Sequence, residues 1–283
     1  MKPNMPPTSP KGIYDCRVLS NDEVARGIFL MRLRAPEIAA SVMPGQFVNI
    51  KTLPHDSDQL TPLLRRPFSV CQADRSAGWI SILWKNVGPG TRLLSRHRMG
   101  TVLNVIGPLG KGYPLPEEAT EIALVAGGLG IAPMPILAAA LRERGFDFTV
   151  LLGARTSAEL WGKEELQHLG AQIKIATDDG SAGHHGFVTA LLQNWIKEHD
   201  ATASRVYSCG PMPMLARVAA ICSTANVHAQ VAVETVMGCG FGICMGCPIE
   251  PVAGVEQFGR YYLACLDGPV FCADHLRYES TSN

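Results

Sequence analysis

Cys239, Cys244, Cys247 and Cys265 are the side chains of this sequence whose types and spacing point most directly to chemistry. The first three read Cys-x4-Cys-x2-Cys inside Met-Gly-Cys-Gly-Phe-Gly-Ile-Cys-Met-Gly-Cys, and the fourth follows after 17 intervening residues. That is the ligand order of a plant-type [2Fe-2S] cluster. Such a cluster accepts one electron at a time and breaks no bonds in an organic substrate, so the expected activity is electron transfer. Gly238, Gly240, Gly242 and Gly246 let a loop wrap closely around a cluster and turn backbone N–H groups toward its sulfurs. Zinc is the competing metal, because four thiolates also suit it. Zinc sites usually pair two Cys-x2-Cys knuckles, however, and here there is one such pair. A disulfide framework fits poorly: the nine cysteines are an odd number, and no secretory signal is evident.

The composition is that of an intracellular enzyme, and a cytoplasmic location is expected. The 283 residues are 47% hydrophobic, enough for two or three compact units. No apolar run reaches the ~18–20 residues of a membrane span. Lys+Arg and Asp+Glu both number 25, so no global field draws the protein to nucleic acid or to an anionic membrane. Partners must be recognised locally.

Three zones follow a loose tail (1–11). Residues 12–116 read as short strands at 13–19, 27–34, 46–51, 67–72, 79–86 and 101–106. Turn residues separate them, as in a small antiparallel barrel. Residues 117–230 alternate strands (121–126, 148–153, 172–177, 205–209) with helices (133–144, 164–169, 188–197, 212–225). That pattern predicts a doubly wound parallel sheet. Residues 231–283 form a cysteine-rich appendix, too small for a core of its own and expected to be held together by its metal.

Nucleotide-binding signals sit where such an architecture would use them. Arg65-Arg66-Pro67-Phe68-Ser69-Val70 opens a barrel strand, where an arginine can grip a flavin pyrophosphate and a serine hydroxyl can hydrogen-bond the ring edge. Lys85-Asn86-Val87-Gly88-Pro89-Gly90-Thr91 leads into a predicted helix at 91–97 and offers backbone N–H groups to an anion. The plainer readings are a surface ion pair for Arg66 and an ordinary helix start for Gly88–Thr91. In the second zone, Gly127, Gly128 and Gly130 follow the first parallel strand, with Pro133 opening a helix, and would let a dinucleotide approach the backbone. The run is not Gly-x-Gly-x-x-Gly. Cys209-Gly210-Pro211-Met212 ends a later strand at the same sheet edge, where ligands of such sheets bind. Thr177-Asp178-Asp179-Gly180-Ser181 ends a third strand there, with plain turn chemistry as an equal alternative. Arg155 and Ser157 are candidates to face the ribose, and do not by themselves separate NAD from NADP.

The order of these motifs resembles the ferredoxin–NADP reductase superfamily: Arg-Pro-aromatic-Ser on a barrel, Gly-Gly-x-Gly-x-x-Pro, then Cys-Gly-Pro-x-x-Met. The ending narrows the resemblance. Glu234-Thr-Val-Met-Gly-Cys through Cys247, then Cys265-Leu-Asp-Gly-Pro-Val-Phe271, is similar to the electron-transfer subunits of type B dihydroorotate dehydrogenases. It covers almost the whole chain from about residue 12. The resemblance implies an NAD-linked oxidoreductase subunit carrying FAD, a [2Fe-2S] cluster and bound NAD. FAD would contact Arg66, Pro67, Phe68, Ser69, Leu83, Trp84, Lys85, Gly90 and Thr91, and the cluster ligands would be Cys239, Cys244, Cys247 and Cys265. The implied partner is an FMN-containing dihydroorotate dehydrogenase catalytic subunit, two of each chain, acting in pyrimidine biosynthesis. Its electrons would pass through the cluster and FAD to NAD+.

No residue is expected to act as a general acid or base, and none of the eight histidines pairs convincingly with a nucleophile. The chain departs from the family pattern at Phe68, which is expected to cover a flavin face. It departs again in the apolar 248–263 stretch, expected as a docking surface, and at Cys272, read as a spectator. Cys16, Cys71, Cys209 and Cys222 are expected as buried thiols, Cys209 beside the nicotinamide. The competing enzyme reading is the flavin and [2Fe-2S] subunit of an NADH-dependent ferredoxin:NADP oxidoreductase or a sulfide dehydrogenase. A non-catalytic scaffold is a third, opposed by the intact cysteine set and both nucleotide turns.

Overall fold

The computed structural model describes residues 11–118, 121–253 and 261–278, so the expected loose tail falls almost wholly outside the described residues. The first unit is built from β1 (Gly12–Ala25), β2 (Ile28–Arg34), α1 (Pro36–Ser41), β3 (Phe47–Pro54), β4 (Arg66–Asp74), β5 (Trp79–Lys85), α2 (Pro89–Leu94) and β6 (Val102–Leu109). Its six strands close into an antiparallel barrel in the order β1-β2-β5-β4-β3-β6. Alternation explains the closure. On β2, Met31 and Leu33 are buried while Arg32 and Arg34 are exposed, the period of two that puts one face inside. Val18, Met31, Val48, Ile50, Val70, Ile82 and their neighbours fill the interior.

The second unit continues with β7 (Glu121–Gly127), α3 (Met134–Glu143), β8 (Thr149–Ala154), α4 (Lys163–His168), β9 (Gln172–Thr177), β10 (His184–His185), α5 (Val188–Glu198), β11 (Ser204–Cys209), α6 (Met212–Thr224) and β12 (His228–Ala232). The remaining strands are β13 (Pro248–Ile249), β14 (Tyr262–Leu263) and β15 (Val270–Cys272). A seven-stranded sheet runs β10-β9-β8-β7-β11-β12-β15. Its central strands are buried on both faces, β8 without exception, as expected where helices cover a parallel sheet. The sequence reading located the chief strands and helices to within a few residues. It did not anticipate β12, or β15, which joins antiparallel through Val231↔Phe271.

That last pairing corrects the expectation of an appendix held together by its metal alone. Cys247, Ile249, Leu263, Ala264, Cys265 and Phe271 share one apolar core with Val125, Val206 and Val231 of the sheet and with Phe47 and Leu109 of the barrel. The apolar stretch expected as a docking surface is likewise corrected where it is described. Ile249 and Leu263 pair in a small ladder and are buried in that core, while 254–260 lie outside the described residues. Among the described residues no helix is long and apolar enough to cross a membrane.

Leu109 is fully buried at the end of β6, in the core joining barrel, sheet and cysteine loop. Leu109→Ala is expected to cost about 3 kcal/mol, read as a lower urea midpoint.

Candidate functional site

The cysteine loop runs from the end of β12 over the outer face of β3 and β6. Its four thiols are grouped two and two. Cys239 and Cys244 exchange contacts, each backbone N–H donating to the other's Sγ at 3.4 Å. The Sγ atoms of Cys247 and Cys265 lie 3.3 Å apart, and the Gly242 N–H donates to Cys265 Sγ at 3.1 Å. Gly240 and Gly242 take left-handed φ of 85° and 91°, which turns the loop's N–H groups toward the sulfurs. Burial pushes the Cys239 thiol up, but N–H donors from Cys244, Phe241 and Ile243 outweigh it and bring it down to about 6. Burial first, then the shared proton and charge of Cys247, pushes Cys265 up to about 12. The four cysteines are all free thiols.

Among the described residues no three His, Cys, Asp or Glu side chains converge on one ion position. A mononuclear four-thiolate zinc site needs four donors on one centre. A binuclear cluster needs two thiolates per iron with N–H groups on the sulfurs, and the donor set fits that arrangement. Cys272 sits apart on β15, its Sγ 4.0 Å from His228 Nε2, and burial raises its thiol.

The barrel strip next to this loop combines fits with corrections. Arg66 makes no ion pair among the described residues; its Nη1 donates to the carbonyls of Leu64 and Arg65. Gly90 packs beneath it, where an added Cβ would come within 3.3 Å of Arg66 Nε. The Thr91 hydroxyl accepts from the N–H groups of Val87 and Gly88 at 3.0 Å, so those two donors are not free for an anion as the sequence suggested. Pro67 and Ser69 lie half-buried on the outer face of β4. Phe68 does not. It is 8% exposed and turned into the barrel core with its ring edge on Trp84, because strand alternation sends it inward, so it presents no face to a flavin. Trp84 is also a core residue, stacked on Phe29, and Leu83 is buried between barrel and sheet. From Leu83 and Trp84 only the backbone is left to meet a ligand. Lys85 Nζ is 2.8 Å from Glu159 Oε1, an ion pair that spans barrel and sheet.

A cleft of about 720 Å³ opens at the carboxyl ends of β7, β8 and β11. Gly127, Gly128, Gly130, Gly210 and Pro211 all line it, and Lys85 reaches it from the barrel. The closeness is real at Gly130, where a Cβ would fall 1.9 Å from the carbonyl oxygen of Cys209. Cys209 and Met212 do not line the cleft. Cys209 is buried beneath it, its thiol pushed well up by burial and then by the charge of Glu234. Met212 opens α6 and packs against the sheet core, as Met214 also does, but of the two only Met214, with Pro213, reaches the cleft. Cys16, Cys71 and Cys222 are buried thiols raised chiefly by burial.

Two cleft groups, Glu159 and Glu234, were not found by sequence reasoning, whereas Met214 is the last residue of the Cys-Gly-Pro-x-x-Met motif. Glu159 accepts from Arg155 at 3.2 and 2.7 Å as well as from Lys85. The Arg155 and Lys85 hydrogen bonds outweigh burial and hold its carboxyl down to about 2. Glu234 lines the cleft from the segment after β12, and the protein around it pushes its carboxyl above the ordinary range. Met214 closes over Gly127 and Gly210. Neither of the two glutamates carries a spacing signal, since each comes from a different element; Asp178, seen only as a turn residue, joins them on the cleft wall.

With this geometry in place, comparison with known proteins decides the family. Residues 234–277 match the iron–sulfur cluster binding domain of dihydroorotate dehydrogenase B, and residues 124–220 match an oxidoreductase NAD-binding domain. The electron transfer subunit of dihydroorotate dehydrogenase B (NAD(+)) from Desulforamulus reducens is 35% identical over 92% of this chain and 96% of its own. The Bacillus pumilus subunit is 37% identical over the same shares, 92% and 96%. The chain belongs to the family of dihydroorotate dehydrogenase B electron transfer subunits. A solved NADH-dependent reduced ferredoxin–NADP oxidoreductase, studied for flavin-based electron bifurcation, superposes with a TM-score of 0.80 at 28% identity, covering 94% of this chain and 91% of its own. The ferredoxin reductase of carbazole 1,9a-dioxygenase, at 21% identity, shares the fold with a TM-score of 0.67 over 78% of this chain and 68% of its own. As a member of the family this chain is an electron-transferring, NAD-linked flavin and iron–sulfur oxidoreductase subunit.

Two outcomes test the geometry. Gly130→Ala must part the turn after β7 from the end of β11 and is expected to destabilise by about 2 kcal/mol, measured by urea unfolding. Glu159→Gln should lower the melting temperature at pH 7 by on the order of 5 °C. The carboxyl is held low in the folded state, so its contribution is complete above its ordinary value of 4.5 and is lost as pH falls toward about 2. The gap between variant and wild type should therefore narrow through that window, followed by thermal melts in graded acid.

Proposed function

We propose that this subunit carries electrons between an FMN-containing dihydroorotate dehydrogenase catalytic subunit and NAD+, in pyrimidine biosynthesis, two copies of each chain forming the working assembly. A cytoplasmic setting, away from nucleic acid and membrane, belongs to the same proposal. The single observation that carries it is the two-and-two grouping of thiols beside a barrel strip and a dinucleotide cleft. We divide the chain accordingly into a flavin unit (12–116), a nicotinamide unit (117–230) and a cluster unit (231–283).

Cys239 and Cys244 would hold one iron of a [2Fe-2S] cluster, and Cys247 and Cys265 the other. The N–H groups of Cys239, Gly242 and Cys244 stabilise negative charge on those sulfurs. Arg66 would pair with the FAD pyrophosphate, with Gly90 keeping that approach open and Thr91 holding the turn. Pro67 and Ser69 would flank the ring, with the Ser69 hydroxyl as donor to its edge, and the backbone of Leu83, Trp84 and Lys85 would complete the strip. When bound, FAD supplies exchange of both single electrons and hydride, which a cluster and a nicotinamide respectively require. Gly127, Gly128, Gly130, Gly210 and Pro211 would admit NAD(H) to the cleft at close backbone approach. No general acid or base is needed for that exchange, and the chain's residues bind, orient and tune.

A second reading is favoured by the whole-chain likeness to the bifurcating NADH-dependent oxidoreductase, in which the same relay would serve a larger flavin and iron–sulfur partner. Co-purification separates them, since an FMN protein of about 30–35 kDa, the size of a single (β/α)₈ barrel of roughly 250–300 residues, is expected under the first.

The decisive experiment is anaerobic reduction of the purified chain by NADH and by NADPH, followed optically with and without a candidate dihydroorotate dehydrogenase. NADH is expected to bleach both flavin and cluster. Bleaching of neither would reject the assignment. In the same assay Cys244→Ser should abolish the cluster's absorbance and leave FAD bound.

A further inference from the structure

Three cations line the dinucleotide cleft: Lys85, Arg155 and Arg217. Two of them are already engaged. Glu159 holds the Lys85 ammonium at 2.8 Å and the Arg155 guanidinium at 2.7 Å, so both charges are answered within the chain. Arg217 is different. It is exposed on the cleft wall and makes no ion pair or hydrogen bond among the described residues, even though Asp178 and Glu234 border the same cleft.

Helix geometry says where that free charge points. Pro213, Met214 and Arg217 share the face of α6 that borders the cleft, one turn apart, while Leu215, Val218 and Cys222 turn another face into the core. Side chains on a helix lean back toward its N-terminus and cover the turn before their own. Arg217 therefore leans over the turn that carries Pro213 and Met214. Met214 in its turn lies on both glycine turns of the cleft. A Cβ at Gly127 would come within 2.4 Å of its Sδ, and one at Gly210 within 2.4 Å of its Cε. These turns stand at the carboxyl ends of β7 and β11, where the pyrophosphate of a dinucleotide approaches the backbone of such a sheet. Glycine N–H groups can meet its negative charge only in part. A guanidinium fork matches phosphate oxygens two at a time.

We propose that Arg217 holds the pyrophosphate of the bound nicotinamide dinucleotide, its guanidinium closing from α6 over a phosphate seated against the Gly127–Gly130 turn. This rests on the nicotinamide-cleft reading above, and it gives that cleft a charged partner for the pyrophosphate that neither glycine motif contains.

The test uses the full chain with its FAD and cluster. Arg217→Gln removes the charge and keeps a long side chain that suits a helix; Arg217→Lys keeps the charge and loses the fork. Affinities for NAD+ and for ADP-ribose, which has the pyrophosphate without the nicotinamide, are measured by titration over a range of salt. Arg217→Gln should weaken both ligands by the same factor, about tenfold or more, and flatten the salt dependence of binding. Arg217→Lys should fall between Arg217→Gln and the wild type. Unchanged NAD+ affinity in Arg217→Gln overturns the proposal. So does a loss confined to NAD+ with ADP-ribose untouched, which would put the guanidinium at the nicotinamide end. A purely structural role would lower the melting temperature of Arg217→Gln and leave the salt dependence as in the wild type, which also overturns it. Wild-type protein that binds neither NAD+ nor ADP-ribose would instead sink the nicotinamide-cleft reading itself.

Discussion

Holding four thiols in two close pairs is the constraint on which the rest of this structure depends. Thiolates repel one another, and short chain segments have no reason to bring them together without compensation. The protein supplies part of it as backbone N–H groups aimed at Cys239, Cys244 and Cys265. Those donors point inward only because the loop bends through left-handed positions at Gly240, Gly242 and Met245. A loop so bent needs a floor, and the outer face of the barrel provides one through Phe47, Leu109 and Asn49. The sheet provides the wall, since β15 brings the chain after Cys265 back alongside β12. Barrel, sheet and loop are thus one packing problem with a shared core.

The two pairs are not equivalent. Cys247 and Cys265 are buried, whereas Cys244 is exposed and Cys239 intermediate. Around the outer pair stand Phe241, Ile243 and Met245, apolar and open to solvent. A cluster held this way would have an inner end packed into the protein and an outer end at the surface. In the proposed relay, that asymmetry gives direction. The flavin strip lies on the barrel side of the loop, and a partner's cofactor has access only from outside. Among the described residues, the apolar surface open to such an approach is carried by the cysteine loop together with the exposed Tyr261.

What could be read from the sequence was whatever local spacing writes. The cysteine ladder, the glycine turns after β7 and β11, and the switch from period-two strands to alternating strands and helices were all legible. What could not be read was produced by register and by contacts between distant elements. Phe68 looked like a flavin cover because its motif sits on a cofactor strand, but a one-residue alternation decides its face and turns it inward. Met212 was expected in the cleft, but it is Met214, two residues on, that reaches the lining, although both pack against the same core. Ile249 and Leu263 read as a sticky surface because burial by a remote core leaves no mark on an apolar run. The Lys85–Glu159 pair joins two units and has no sequence signature at all.

That pair also bears on which nicotinamide the cleft suits. Arg155 follows β8, where a cation could meet a 2′-phosphate, and from sequence alone it was ambiguous. Its guanidinium is engaged by both oxygens of Glu159, which is itself held by Lys85. A 2′-phosphate would have to take Arg155 away from a carboxylate kept ionised to about pH 2 and would meet Asp178 on the same wall. The Ser157 N–H, the other candidate donor, is already given to Ser181 Oγ at 2.7 Å. A ribose with a free 2′-hydroxyl asks for neither rearrangement. The arrangement of charge at this end of the cleft therefore suits a free 2′-hydroxyl better than a 2′-phosphate, and it is made by the same ion pairs that join barrel to sheet.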